Sequence, residues 1–317
     1  MNSAFYPSIG IVIPTKNAGV EFRPFLTRLC VQDYPGPVDM LVIDSGSTDG
    51  TGLMAEEFGF RVKRIDPATF NHGQTRNQGI AEVRGDLVLL LTQDAIPAEN
   101  DFLRRMVEAL RAADAAGVYA RQAPYPEASE LVRRNGLQWV SGVAESRRQR
   151  IESINAFLAL SPAQQHLQCV FENVASLIRR DVWEKIPFPQ VAFGEDLEWG
   201  FRALCNGYTL AYAADAVVWH SHERDAGYTY KRTLIDHYRL YELFGLRTIP
   251  SLQKVARSVL LTTARDWGYL LLHFRLCRRW GQEFWRVPYH AWASAWGQYQ
   301  GAKTAASGLS ITKVQGV

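Results

Sequence analysis

Leu87-Val88-Leu89-Leu90-Leu91 is an unbroken apolar run, entered from Gly85-Asp86 and left through Thr92-Gln93-Asp94, with Pro97 close behind. A run this short, bounded by glycine and proline and showing no polar alternation, leaves no face for water. It predicts a central parallel strand covered by helices on both sides, which confines the chain to α/β architecture. Ligands of such sheets bind beyond the carboxyl ends of the strands, so Asp94 falls where a ligand would lie. A lone Asp closing a strand is ordinarily a turn residue, and the rest of the chain has to decide between turn and site.

The preceding segments repeat the pattern. Ile9–Ile13, Val38–Ile43 and Arg61–Ile65 read as strands; Glu21–Gln32, with Phe22, Phe25, Leu26 and Leu29 at helical spacing, and Thr51–Phe58 read as helices. Asn71–Gly79 reads as a polar loop running into a short helix that ends at Val83. This alternation predicts a mostly parallel sheet whose strands each end in small polar residues. Further on, Phe102–Ala113 has one apolar face, and 117–165 resists assignment: Pro124 and Pro126 suggest loop, and Glu145–Arg150 an exposed charged run. Asp181-Val182-Trp183-Glu184 starts a helical turn, and a helix follows Gly194-Glu195-Asp196. Tyr208–Tyr212 and Ala216–Trp219 read as two short strands, the second ending in His220-Ser221-His222.

Charge divides the chain more sharply than hydropathy. Residues 1–230 carry 22 Lys and Arg against 28 Asp and Glu, whereas residues 231–317 carry 13 against 4, together with five of the nine tryptophans. We therefore expect an enzyme-like domain over residues 1–225 and a helical, basic and aromatic region over residues 226–317. The four cysteines (Cys30, Cys169, Cys205, Cys277) have no C-x-x-C pairing, which argues against a zinc site or disulfide framework and for a reducing compartment. Met1–Gly10 lacks the pattern of a secretory signal, and no apolar run approaches the length of a membrane span.

Several strand and loop ends carry acids, hydroxyls or imidazoles, and a parallel sheet brings such ends to one rim. Asp44-Ser45-Gly46-Ser47-Thr48-Asp49 offers acceptors to a base or ribose, although such runs are first of all turns and caps. Arg76 and Asn77, read at a helix start, suit phosphate oxygens. Asp94 could hold a hard divalent cation against a diphosphate. Glu195-Asp196 offers a general base whose pKa a neighbouring carboxylate would raise; alone, the pair is ordinary charge at a helix N-terminus. A pair of glycosidase carboxylates is the competing reading, but it has no use for the nucleotide-like loops.

Pro14-Thr15-Lys16-Asn17, Val42 through Thr51, Thr75-Arg76-Asn77-Gln78-Gly79 and the Leu91–Asp94 strand end, in that order, resemble the family 2 glycosyltransferases. The resemblance spans about residues 8–225 and implies a GT-A fold and inverting transfer from a nucleotide-sugar donor. Phe70 through Asn77 and Thr92-Gln93-Asp94-Ala95 look most like bacterial rhamnosyltransferases of O-antigen and other surface glycans. The likeness implies that Pro14, Thr15, Asn17, Asp44, Ser45, Arg76, Asn77, Thr92 and Gln93 bind the donor nucleotide. It also implies that Asp196 is the general base. The family's D-x-D falls on Thr92-Gln93-Asp94, so Thr92 replaces the first carboxylate and Asp94 remains as metal ligand, with His220 a second ligand and His222 a weaker one. The ion would be Mg2+ or Mn2+. His72, Glu195, Trp199 and Arg202 are candidates for contact with donor sugar or acceptor, with packing or capping the alternative for each.

The expected reaction is transfer of L-rhamnose from dTDP-rhamnose to a lipid-linked oligosaccharide; a UDP- or GDP-sugar donor, or a non-catalytic sugar-nucleotide-binding subunit, are the alternatives. In the basic tail, apolar stripes run with Lys254, Arg257, Arg265, Arg275, Arg278 and Arg279. Stripe, tryptophans and arginines together predict helices lying on an anionic inner-membrane surface from the cytoplasmic side; a helical subdomain or a homo-oligomer interface is the alternative. No pattern for nucleic-acid binding accompanies the charge.

Overall fold

The computed structural model describes residues 6–274 and 280–311. Cys277, Arg275, Arg278 and Arg279 lie outside the described residues. The chain forms two compact units: one of residues 1–123, 139–157 and 168–220, the other of 124–138, 158–167 and 221–317.

The strands are β1 (Ile9–Thr15), β2 (Val38–Asp44), β3 (Arg61–Arg64), β4 (Leu87–Leu91), β5 (Ile96–Pro97), β6 (Gly117–Ala123), β7 (Arg147–Gln149), β8 (Ala175–Arg179) and β9 (Leu210–Trp219). The helices are α1 (Phe22–Cys30), α2 (Thr51–Glu57), α3 (His72–Glu82), α4 (Phe102–Ala112), α5 (Glu130–Gln138), α6 (Ile154–Leu158), α7 (Pro162–Cys169), α8 (Arg180–Trp183), α9 (Glu195–Cys205), α10 (Ala226–Phe244), α11 (Leu252–Leu272) and α12 (Trp280–Ala306).

All of the described strands belong to the first unit. They form one sheet in the order β3-β2-β1-β4-β8-β6-β9-β5, with β7 added to β9. β3, β2, β1 and β4 run parallel, as the alternating sequence requires, while β8 pairs antiparallel with both β4 and β6. β4 is buried along its whole length, and so are Ile9, Ile11, Val12 and Ile13 beside it. The ends of β1, β2 and β4 therefore open on one rim.

Three local expectations are corrected. Within the Glu145–Arg150 run, Arg147–Gln149 forms strand β7: Glu145, Arg148 and Arg150 are exposed as expected, but the Arg147 guanidinium lies 5.1 Å from the Tyr212 ring, and Gln149 is buried with its amide donating to Gln168 O and Val170 O. The two short strands near 208–219 are one, β9, whose pairing with β6 jumps between Ala120–Ala213 and Arg121–Val217. The third concerns α3, which begins at His72 because Asn71 caps it, its side-chain oxygen accepting the Gln74 N–H at 3.1 Å.

In the second unit α10 and α12 pack closely. Gly297 and Gly301 make this possible, since a Cβ at Gly301 would lie 2.2 Å from Leu234 O and one at Gly297 2.8 Å from Tyr230 O. No described helix is long and apolar enough to cross a membrane.

Candidate active site

At the rim, side chains tie the first loops to one another. Gln93 pairs with the backbone of Lys16 in both directions, accepting its N–H at 2.8 Å and donating to its carbonyl at 3.3 Å. Asn17 adopts a left-handed φ of 46°. Its N–H donates to Ser47 Oγ and its Oδ1 accepts the Thr48 N–H, each at 2.9 Å. Asp44 Oδ1 accepts the Ser47 N–H at 2.9 Å. Thr15 and Ser45 are buried and spend their hydroxyls on carbonyls, Thr15 on Ile43 O and Ser45 on Thr15 O. Half-buried Pro14 closes β1 opposite Ile43. The structure thus brings Pro14, Thr15, Asn17, Asp44, Ser45 and Gln93 together, but assigns Thr15 and Ser45 to building the loop rather than offering hydroxyls outward. Thr92 Oγ1 is buried with no hydrogen-bond partner.

Arg76 and Asn77 are not at a helix start. The Asn71 cap puts them in the second turn of α3, away from the free N–H groups that would attract phosphate. Arg76 is 4% exposed, and its guanidinium donates to Glu195 Oε1 at 2.8 Å. Asn77 donates to Phe188 O and accepts from the Trp183 indole and the Phe188 N–H, fixing the Pro187-Phe188-Pro189 turn. The expected place at a helix start is corrected, and each side chain has a protein partner: Arg76 in a buried ion pair and Asn77 in a loop clamp.

That ion pair sits beside Asp196. Gly194, at φ 73°, turns the chain so that Glu195 and Asp196 open α9. Asp196 Oδ2 accepts the Asn173 N–H at 3.1 Å, Oδ1 accepts the Leu197 N–H at 2.8 Å, and the Asn173 amide reaches Glu195 Oε1 at 3.5 Å. Burial, and after it the charge of Glu195, push the Asp196 carboxyl up to about 6, against the opposing pull of the Asn173 N–H, Arg76 and the Leu197 N–H. A carboxyl so poised is a base at neutral pH that holds a transferred proton better than an ordinary aspartate.

A second cluster gathers at the ends of β4 and β9. His220 Nε2 lies 3.7 Å from Asp94 Oδ1. Its other nitrogen, Nδ1, is 2.9 Å from Gln122 Oε1. The Gln122 amide nitrogen points at the Glu172 carboxylate, 2.5 Å away, and at Ser141 Oγ. A carboxylate only accepts, so Gln122 presents its oxygen to His220 and Nδ1 carries the hydrogen. The neutral ring then has its lone pair on Nε2, facing Asp94, as metal-ligating histidines require. Glu172 is held in turn by the Trp139 indole at 2.9 Å. The pair Asp94–His220 therefore fits a divalent cation by donor type and by tautomer. His222, two residues along the chain, belongs to the second unit.

Trp199 and Arg202 do not join the site. Trp199 is fully buried, packed at a tilt against Phe171 and Phe188, with its indole donating to Ile186 O; it is core and cannot meet an acceptor. Arg202 pairs with Glu198 one turn back on α9. Glu195 is likewise enclosed, 5% exposed and committed to Arg76. His72 opens α3 edge-on to Phe70, with Nδ1 3.5 Å from the Arg76 guanidinium. Sequence reasoning missed Asn173, Gln122 and Glu172. For Glu172-Asn173 a signal existed, two polar residues between Phe171 and Val174 just before a strand; for Gln122 there was none.

Comparison with known proteins places this geometry. Residues 10–182 match the family described as Glycosyl transferase family 2. The O-antigen chain rhamnosyltransferase RfbN of Salmonella typhimurium is 33% identical over 220 residues, covering 68% of this chain and 66% of the relative. The O-antigen chain rhamnosyltransferase WbaN of Salmonella anatum is 29% identical, covering 68% and 67%. The chain thus matches about two thirds of the length of these curated relatives. Among solved structures, the mannosyltransferase PcManGT from Pyrobaculum calidifontis, in complex with GDP-Man and Mn2+, is similar at a TM-score of 0.61 and 15% identity, covering 96% of this chain and 88% of that one. The likeness shows a common fold. With more than half of its residues matched and the sheet and rim arranged as described, the chain belongs to glycosyl transferase family 2 and is a glycosyltransferase.

Proposed function

We propose that this enzyme transfers L-rhamnose from dTDP-rhamnose to a hydroxyl of a lipid-linked glycan, with inversion, in building a bacterial surface polysaccharide. The names of the two Salmonella relatives support the sugar and the pathway class. The observation that carries the mechanism is Asp196, a half-buried carboxyl raised to about 6 and held by two backbone N–H groups. An inverting transfer is one in-line displacement at the anomeric carbon: the acceptor hydroxyl loses its proton to Asp196 as the diphosphate leaves from the opposite face. Asp94 and His220 would hold a divalent cation, which supplies positive charge to the leaving diphosphate. Mn2+ is the first ion to test, because the Pyrobaculum enzyme is described with it. Asn17 and Asp44, joined by the loop contacts above, line the side on which base and ribose would lie. Arg76 and Glu195 act behind Asp196, setting its charge state.

Residues 1–225 would bind donor and carry out the chemistry, and residues 226–317 would meet the acceptor's lipid side at the cytoplasmic face of the membrane. A panel of dTDP-rhamnose, UDP-sugars and GDP-sugars, run with and without chelator and with Asp196→Asn, tests the reading. Transfer from dTDP-rhamnose, lost on chelation and in Asp196→Asn, is expected. Full activity of that variant sinks the mechanism, and preference for a UDP- or GDP-sugar sinks the donor.

A further inference from the structure

Residues 139–143 of the first unit are bonded closely to its sheet. Ser141 O accepts the Gln122 N–H at 2.7 Å, Gly142 O accepts from the Arg121 guanidinium at 2.9 Å, and Val143 O accepts from the Tyr212 hydroxyl at 2.6 Å. A turn closes the start of the segment, the Gly142 N–H donating to Trp139 O at 2.8 Å. Ser141 is completely buried. Trp139 is not: its side chain leaves it 49% exposed, although the indole N–H donates to Glu172 Oε1 at 2.9 Å. A large apolar ring is thus held facing water, on a restrained backbone and with one edge pinned, so it cannot fold away.

Single exposed apolar side chains need no explanation, but what Trp139 hangs from gives this one a reason. Glu172 is joined to both parts of the candidate site. Its other oxygen accepts from the Gln122 amide at 2.5 Å, and Gln122 in turn holds His220, which faces Asp94. The next residue in the chain, Asn173, donates its N–H to Asp196. The indole is therefore fixed to the stretch of chain that links the candidate metal pair to the candidate base. In an inverting transfer the acceptor hydroxyl reaches Asp196 while the diphosphate is held at Asp94 and His220, so the sugar bearing that hydroxyl passes over this stretch. A pyranose carries hydroxyls around its edge and C–H groups on its faces. Those C–H groups have a partial positive charge and suit the negative face of an aromatic ring. Donation of the indole N–H to a carboxylate adds electron density to the ring and strengthens the match.

We propose that Trp139 is the platform on which the acceptor's pyranose ring stacks while its hydroxyl meets Asp196. This rests on the glycan-acceptor reading above and goes further in naming the side chain that holds the sugar. The indole face supplies affinity for the acceptor, and the bond to Glu172 sets the angle at which that face is presented. Trp199, the tryptophan expected from the sequence to do this, is buried in the core.

The test is steady-state transfer, from whichever sugar nucleotide the donor panel selects, to methyl pyranosides of rhamnose, galactose and mannose. Wild type is compared with Trp139→Ala, Trp139→Leu and Trp139→Phe. Trp139→Ala and Trp139→Leu should raise the acceptor KM by about tenfold or more, as loss of an aromatic anchor does, with the donor KM unchanged. Trp139→Phe keeps an aromatic face and loses only the N–H, so it should recover most of the acceptor affinity. A purely structural role, holding Glu172 in place, would instead lower Mn2+ affinity and kcat, and would do so equally in Trp139→Phe and Trp139→Ala. Calorimetric titration with Mn2+ and thermal melts on the same proteins read that out. The proposal is overturned if the acceptor KM of Trp139→Ala equals that of wild type, or if Trp139→Phe is as impaired as Trp139→Ala. Transfer to none of the pyranosides overturns the glycan-acceptor reading and the platform with it; transfer to a pyranoside with an unmoved KM in Trp139→Ala sinks the platform alone.

Discussion

Replacing Arg76 with Met separates its two readings, donor-phosphate ligand and buried partner of Glu195. The two side chains are 5% and 6% exposed and 2.8 Å apart, so removing the cation leaves a desolvated carboxylate with little to compensate it. Breaking a buried pair from one side costs about 3–5 kcal/mol. At roughly 2–4 °C per kcal/mol for a domain of this size, the melting temperature at neutral pH should fall by about 10 °C. Arg76 is also one of the groups holding the Asp196 carboxyl down. Its loss should therefore move the acid limb of the pH–rate profile to higher pH. Thermal melts from pH 5 to pH 8 and kcat against pH, on wild type, Arg76→Met and Arg76→Lys, read out both effects. A variant with an unchanged melting temperature and limb, but a raised donor KM, would restore the phosphate reading and refute the ion-pair argument.

Asp196→Asn should lower kcat by about 10²–10⁴-fold. Wild-type rates should rise through about pH 6, where the carboxyl gives up its proton, and level off above; that rise should vanish in the variant. Because the raised pKa means burial opposes the charged form, the stability opposing effect sets in as pH climbs from the ordinary carboxylate range through about 6, so Asp196→Asn should not melt lower than wild type at pH 8. Gln122→Leu, which removes the acceptor for the His220 Nδ1–H, should weaken Mn2+ binding by about 10–100-fold in calorimetry; an affinity equal to that of wild type would refute the tautomer argument. Trp199→Ala should cost about 3–5 kcal/mol of stability with no selective loss of acceptor affinity, as judged by denaturant melts and acceptor KM in the folded protein.

The sheet was legible where one residue type settles the environment. Leu87–Leu91 has no polar residue to face water, so its central position followed from composition, and with it the placing of Asp94 at the rim. Local signals failed where a side chain answers to a distant one. Arg76 looks like a phosphate ligand until Glu195, 119 residues away in sequence, arrives beside it. The start of α3 was misread because His72-Gly73 resembles a turn, while the capping oxygen of Asn71 is worth more to the helix than glycine costs it. Trp199 follows two acids and so invites a functional reading, yet the same helix turn that exposes Asp196 buries the indole among Phe171 and Phe188. Gln122 offered no signal, since its role exists only through pairing of β6 with β9.

That pairing also makes chain length matter as much as residue identity. Between Ala213 and Val217, β9 carries three residues with no counterpart between Ala120 and Arg121, and Arg105 holds the detour by donating to Asp215 O at 2.8 Å. Beyond it, Gln122 lies opposite Val218, and the His220 N–H reaches Ala123 O at 2.8 Å. Strand side chains alternate faces, so a slip of one position turns every later one over. Deleting a single residue from Ala214-Asp215-Ala216 would leave every proposed ligand and base in the sequence while swinging His220 away from both Asp94 and Gln122. In this chain a substitution at the detour leaves that register in place, whereas an insertion or deletion beyond it would move His220 relative to its partners.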